Sequence, residues 1–360
     1  MNKQQDSSRF LGKKNLRGAL LTVVFAITFF IPTPYYIYQP GTAEELSPKV
    51  TVEGGEKDEQ GTLMLTTVMS IKASNIYYLA YGYVAPHSEL RREEEVKQGM
   101  SDAEYERLLK HMMDTSQQNA IIAGLHSAGE EVKIDNKGIF VKSIVPASKA
   151  AGVLEVGDVI TKVDGKAMTR AEDLIDYMNH NKKPGDRVEL TYSRDGATKK
   201  STIEVVELGV ENQTDPGVPK KVGLGILPEN EISLDLPRKV TINAEDIGGP
   251  SAGLMFSLEI YSQATKGDLT KGYRIAGTGT MNQKGEVGQI GGIRHKIVAA
   301  HEEGAEIFFS PADVDAEDAN TKDILDEAEK LGYKDIKVVP VATLQEAIDY
   351  LEKLPPKTGK

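Results

Sequence analysis

Residues 246–253 read DIGGPSAG, and residues 277–300 read GTGTMNQKGEVGQIGGIRHKIVAA. The first stretch joins a strand expected at Lys239–Asn243 to a helix expected at Ser251–Thr265. Gly248 and Gly249 open backbone angles closed to other residues, and the fixed φ of Pro250 suits a first helical turn. Ser251 is therefore expected where unpaired backbone N–H groups meet the positive end of a helix. That position suits the stabilisation of an oxyanion on a scissile carbonyl.

A serine hydroxyl is a poor nucleophile until a base takes its proton. The six histidines form no triad pattern, and His295 reads as a solvated helix residue. A lysine can act as the base if burial disfavours its ammonium form. Lys296 follows Ser251 by 45 residues. It lies just inside a helix expected at Ile293–Glu303, behind Gly291 and Gly292 and ahead of Ile297, Val298 and Ala299. Serine–lysine pairs are an established variant of the serine nucleophile. Taken singly, the glycine-rich stretch equally describes an ordinary helix start or an anion site, and a helical lysine equally describes a surface charge.

Around this pair the chain alternates strands and helices from 222 to 355, which predicts an α/β or α+β domain with helices covering a sheet. Upstream, residues 129–208 predict a small β-rich unit, a partly open barrel. It has strands at Ile139–Ile144 and Val159–Val163, a short helix at Ala147–Val153, and an amphipathic helix at Arg170–His180. Asp195-Gly196 closes a hairpin between Val188–Tyr192 and Thr202–Val206. Residues 209–221 are a polar linker. Residues 40–128 hold strands ending near Ser70 and a helix opened by Ser101-Asp102-Ala103-Glu104, a capping-box pattern.

At the N-terminus, residues 18–38 (GALLTVVFAITFFIPTPYYIY) carry no charge and predict one membrane-spanning helix. Residues 1–17 hold Lys3, Arg9, Lys13, Lys14 and Arg17 against Asp6, so they are expected in the cytoplasm and the rest outside the cell. A cleaved signal peptide would export the chain equally, although no small-x-small site follows the apolar run. A buried core helix is the third reading. The net charge of −11 argues against nucleic acid as a partner. The absence of cysteine removes disulfides, thiol nucleophiles and cysteine-based zinc sites.

Two resemblances sharpen these expectations. Ile144–Met168, IVPASKAAGVLEVGDVITKVDGKAM, resembles the core of a PDZ domain. That family adds extended peptides to a sheet edge, here expected at Gly138–Val141 facing the helix Arg170–His180. A packing module without a ligand is the alternative. The two stretches quoted at the outset resemble the proteolytic domain of Lon peptidases, from about Val240 to Leu351. The resemblance implies that Ser251 is the nucleophile, Lys296 the base and Thr278 the threonine that hydrogen-bonds the lysine. Asp246 falls near an acidic residue that precedes the serine in many members, with two inserted residues between. Thr280 stands where many members have glutamate.

The order of anchor, PDZ and Lon-like domain is similar to the PDZ-containing Lon-like proteases of Gram-positive bacteria. That similarity implies that the N-terminal strands and the helix Ser101–Leu125 pack with the catalytic domain, making the PDZ unit an insertion. Full Lon enzymes carry an ATPase module, yet no GxxxxGK[ST] loop occurs in this sequence, so ATP is not expected. No metal or other cofactor is expected either. The whole reads as a membrane-anchored serine endopeptidase acting on peptide or protein substrates outside the cell. An inactive, surface-anchored peptide-binding scaffold is the alternative.

Overall fold

The computed structural model describes residues 18–58, 60–146, 148–208, 221–244 and 247–357. Segment 1–17, expected in the cytoplasm, nearly all of the 209–221 linker, and Asp246 lie outside the described residues.

The described residues open with helix α1 (18–29), which ends ahead of Pro32 and Pro34. Strand β1 (Tyr35–Glu45) then begins inside the stretch expected to be helical. This corrects the 18–38 span. Two prolines in three residues remove amide donors and push their predecessors toward extended backbone, so the tyrosines that follow join a sheet. Among the described residues no helix is long and apolar enough to cross a membrane.

After β2 (Val50–Val52) and β3 (Thr62–Lys72) come α2 (Ile76–Val84), β4 (Glu89–Arg92), α3 (Glu93–Lys97) and the long α4 (Asp102–Ser127). α4 starts with the expected capping box: the Ser101 hydroxyl accepts from the Glu104 amide, and the Glu104 carboxylate accepts from the Ser101 amide at 2.9 Å.

The PDZ-side unit follows as β5 (Lys133–Ile144), β6 (Val159–Val163), β7 (Lys166–Ala167), α5 (Ala171–Asn181), β8 (Arg187–Arg194), β9 (Ala197–Glu204) and β10 (Val206–Glu207). No helix forms at 148–153, which is a run of turns. The β8–β9 hairpin turns on Asp195 and Gly196, both at positive φ, as its two-residue turn requires.

Beyond the linker run β11 (Val222–Gly223), β12 (Ile226–Asp235), β13 (Val240–Ile242), α6 (Gly253–Ala264), β14 (Arg274–Gly277), β15 (Thr280–Met281) and β16 (Val287–Gly288). The chain finishes with α7 (Ile293–Glu302), β17 (Ile307–Pro311), α8 (Asn320–Leu331), β18 (Lys337–Val341) and α9 (Leu344–Glu352).

The main sheet has the order β18-β17-β14-β3-β1-β4. β3 pairs parallel to β14 with Leu63 opposite Ile275, so residues from the two ends of the chain build one sheet. Side chains alternate across it. Leu63, Leu65, Ile275, Ile307 and Phe309 face a core shared with α4, α6 and α9. Met64, Ala276 and Phe308 face the opposite way, into a core shared with α7 and α8. A third, separate core fills the PDZ-side unit.

The second sheet runs β12-β5-β6-β8-β9, with β7 on β6. β12 pairs with β5 from Ile226↔Ile144 to Asp235↔Lys133, and β11 pairs with β10. Residues 222–235, expected with the domain beyond the linker, thus pair their strands with the PDZ-side unit. Gly138–Val141 has β12 on one side and β6 on the other, so it offers no edge to a peptide. β12 is the end strand, and α5 lies next to it, with the Ala171 amide donating to Asn230 Oδ1 at 2.6 Å.

Candidate active site

α6 covers one face of the main sheet and α7 the other, and Ser251 and Lys296 come from these two sides. Ser251 lies in the turn leading into α6. Its carbonyl is held twice, accepting from the Gly279 amide at 2.9 Å and from Thr278 Oγ1 at 2.9 Å. The preceding carbonyl, of Pro250, accepts from Ser116 Oγ on α4 at 2.9 Å. A side chain at Gly253 would place its Cβ 2.8 Å from the Met281 amide nitrogen, so only glycine lets the first turn of α6 lie this close to β15.

Lys296 enters from α7. Gly292, at φ 73°, caps that helix in the left-handed region that glycine tolerates. The Lys296 amine reaches past the sheet to lie 3.2 Å from Ser251 Oγ, and it donates to the backbone carbonyl of Thr66. The side chain is 3% exposed. Burial alone pulls its ammonium down to about 7, because a charge loses hydration there without gaining a carboxylate partner. A large fraction of the amine is thus neutral near neutral pH, as a general base requires.

Both residues border a cleft of about 680 Å³ whose other walls include Tyr38 and Thr42 of β1 and Thr66–Ser70 of β3. The amides of Ser251 and Ala252 donate no hydrogen bond among the described residues, and both residues line this cleft. They are the N–H groups available to an oxyanion formed on a carbonyl attacked by Ser251. No cluster of three or more histidine, aspartate or glutamate side chains able to hold a metal occurs among the described residues.

Thr278 is fully buried and close to the pair, but its hydroxyl holds the Ser251 carbonyl rather than the lysine amine. The amine's partner is the carbonyl of Thr66, a main-chain group that leaves no trace in residue type. Ser116, also without a motif, is the other contributor absent from the sequence reading. His295, read as solvated, is 6% exposed, and its Nε2 lies 3.6 Å from Glu89 Oε2. It sits one residue from Lys296 on a different side of α7 and takes no part in the pair.

α4 ties this site to the PDZ-side unit. Its Arg107 donates to the Val156 carbonyl at 2.9 Å and to Glu155 at 2.8 Å. His111 stacks on Phe140 of β5 with ring centroids 3.4 Å apart. One and two turns further along, Ser116 and Asn119 hold the Pro250 and Met281 carbonyls.

Residues 114–205 match the PDZ domain family, and residues 226–352 match the Lon protease (S16) C-terminal proteolytic domain. The Lon protease of Trichlorobacter lovleyi is 34% identical over 128 residues, which is 35% of this chain and 14% of that relative. The Lon protease of Chloroflexus aggregans is 25% identical over 209 residues, 58% of this chain and 23% of the relative. The chain thus spans less than a quarter of the length of these relatives. The crystal structure of the PDZ domain of an SdrC-like protein from Listeria monocytogenes is 30% identical, covering 27% of this chain and 92% of that one at a TM-score of 0.23. The chain thus joins a region similar to PDZ domains to one similar to the Lon protease proteolytic domain, a make-up consistent with a PDZ-containing Lon-like protease.

Proposed function

We propose that this chain is a membrane-anchored, ATP-independent serine endopeptidase that cleaves peptides or proteins outside the cytoplasm. Ser251 is the nucleophile and Lys296 the base. The observation that carries the reading is the 3.2 Å approach of a buried, carboxylate-free lysine amine to the Ser251 hydroxyl at the mouth of a helix.

In the first step Lys296 Nζ takes the Ser251 proton as Oγ bonds to the scissile carbonyl carbon. The resulting oxyanion is received by the Ser251 and Ala252 amides. As the C–N bond breaks, Lys296 returns the proton to the leaving amine. A water then loses a proton to Lys296, attacks the acyl-enzyme, and the Ser251 hydroxyl is restored. The Thr66 carbonyl orients the amine throughout, and Thr278 fixes the backbone that carries the nucleophile.

The end strand β12, with α5 beside it, is the edge that supports peptide capture by strand addition. The anchor is supported by α1, whose Leu20, Leu21, Val23, Phe25 and Ile27 are all more than half exposed, and by the five basic residues that precede it in sequence. Extracytoplasmic placement follows from that charge order.

The test compares peptides released by cells carrying wild type, Ser251→Ala and Lys296→Ala. New peptide termini present only with wild type are the expected result. Identical peptide sets from all three, with peptide binding retained, would favour the inactive scaffold.

A further inference from the structure

Helix α2 carries an exposed apolar surface that the catalytic site does not use. α2 reads IYYLAYGYV, nine residues without a charge. It rests on the edge of the main sheet through Gly82, where an added Cβ would lie 2.8 Å from both Ile37 and Leu90. Ile76 and Leu79 are half-buried, while the tyrosines and Val84 are exposed. Tyr77, Tyr78 and Tyr81 are 40%, 46% and 49% exposed, and Tyr83 and Val84 are 83% and 76% exposed. A soluble surface seldom gathers five large apolar or aromatic side chains on nine uncharged residues.

The patch is continuous with α1. The Phe25 ring lies 4.9 Å from the Tyr77 ring, and the Thr28 and Tyr77 hydroxyls are 2.6 Å apart. Side chains of the proposed anchor therefore run directly into the tyrosines of α2. Tyrosine has an apolar ring with a polar tip, which favours the boundary between hydrocarbon and headgroups. Charged groups flank the helix rather than enter it: Lys72 precedes it, while Arg91 and Arg92 follow in β4.

We infer that α2 is a membrane-surface helix, lying in the headgroup layer beside α1 and seating the catalytic domain on the bilayer. The inference rests on the anchor reading of α1. It also orients the site. Gln39 donates to the Tyr81 hydroxyl at 3.3 Å, and its neighbour Tyr38, paired with Ser70, lines the catalytic cleft. That end of the cleft faces the lipid, so the substrate segments reached first are those close to the membrane surface.

The chain has no tryptophan, so single tryptophans report without background. The experiment reconstitutes full-length Tyr83→Trp, Tyr78→Trp, Phe25→Trp and Val314→Trp variants in phosphatidylcholine vesicles, with and without brominated acyl chains. Val314 is exposed beside β17, toward the opposite edge of the sheet. Brominated lipid is expected to quench tryptophan at 83, 78 and 25 by about half or more, and to leave 314 unchanged. Quenching at 25 without quenching at 83 and 78 overturns the surface helix and leaves the anchor standing. No quenching at any position overturns the anchor as well. Equal quenching at 314 and 83 shows unspecific lipid contact and overturns the proposal.

Discussion

The Ser116 hydroxyl on α4 donates to the carbonyl of Pro250, the residue before Ser251, at 2.9 Å. Through this bond the helix that stacks His111 on Phe140 of the PDZ-side sheet also holds the backbone that positions Ser251, the proposed nucleophile. The link is direct, covering only five residues of one helix. It gives the PDZ-side unit a connection to the turn that carries Ser251.

Ser116→Ala removes that donor from a nearly fully buried position. A loss of about 1 kcal/mol in stability is expected, the usual net worth of one such bond. Because the turn loosens without touching the substrate pockets, kcat should fall several-fold while KM stays near the wild-type value. Urea unfolding and steady-state kinetics on one peptide check both.

Thr278→Val separates two roles for the threonine. The structure has its hydroxyl on the Ser251 carbonyl, so its loss should lower kcat about tenfold, equivalent to roughly 1.4 kcal/mol. The pH midpoint of kcat/KM should not move, since the hydroxyl does not touch the lysine amine. Thr278→Ser should restore most of the rate. A shifted midpoint in Thr278→Val would instead indicate a direct hold on Lys296.

Legibility in the sequence followed locality. The capping box at Ser101, the Asp195-Gly196 hairpin and the Ser251 turn are each set by a few adjacent residues with special backbone or hydrogen-bonding chemistry, and each could be read directly. Lys296 was legible because glycines before it and apolar residues after it foretold burial. The pairing of β12 with β5 was not. It joins residues some ninety positions apart, and the alternation of Ile226–Asp235 fits a strand of either domain. Nor could the Thr66 carbonyl be found, because every residue carries one. Hydropathy extends the apolar run to 38, whereas the helix ends ahead of Pro32 and Pro34 and the tyrosines join β1.

Glu259 on α6 provides a pH-dependent stability test away from the catalytic pair. It is 3% exposed, and Gln263 donates to its carboxylate at 2.7 Å. Burial, reinforced by Asp58, raises its pKa to about 7. The folded-state value lies above the unfolded one, so the fold prefers the protonated form. That contribution is fully present below about pH 4.5 and is lost as pH rises through about 7. Glu259→Gln keeps an acceptor for Gln263 and cannot ionise. It should be about 1–3 kcal/mol more stable than wild type at pH 8 and nearly equal to it at pH 4.5, by denaturant titration at the two pH values.

The most direct test of the Ser251–Lys296 account is the rate at which a fluorophosphonate acylates Ser251 as a function of pH. Wild type should give a rate that rises with pH and levels off, with a midpoint at about 7, the value to which burial brings the lysine. Lys296→Met should lose about three orders of magnitude or more. A midpoint near that of a free lysine, or a Lys296→Met protein labelled at the wild-type rate, would contradict it.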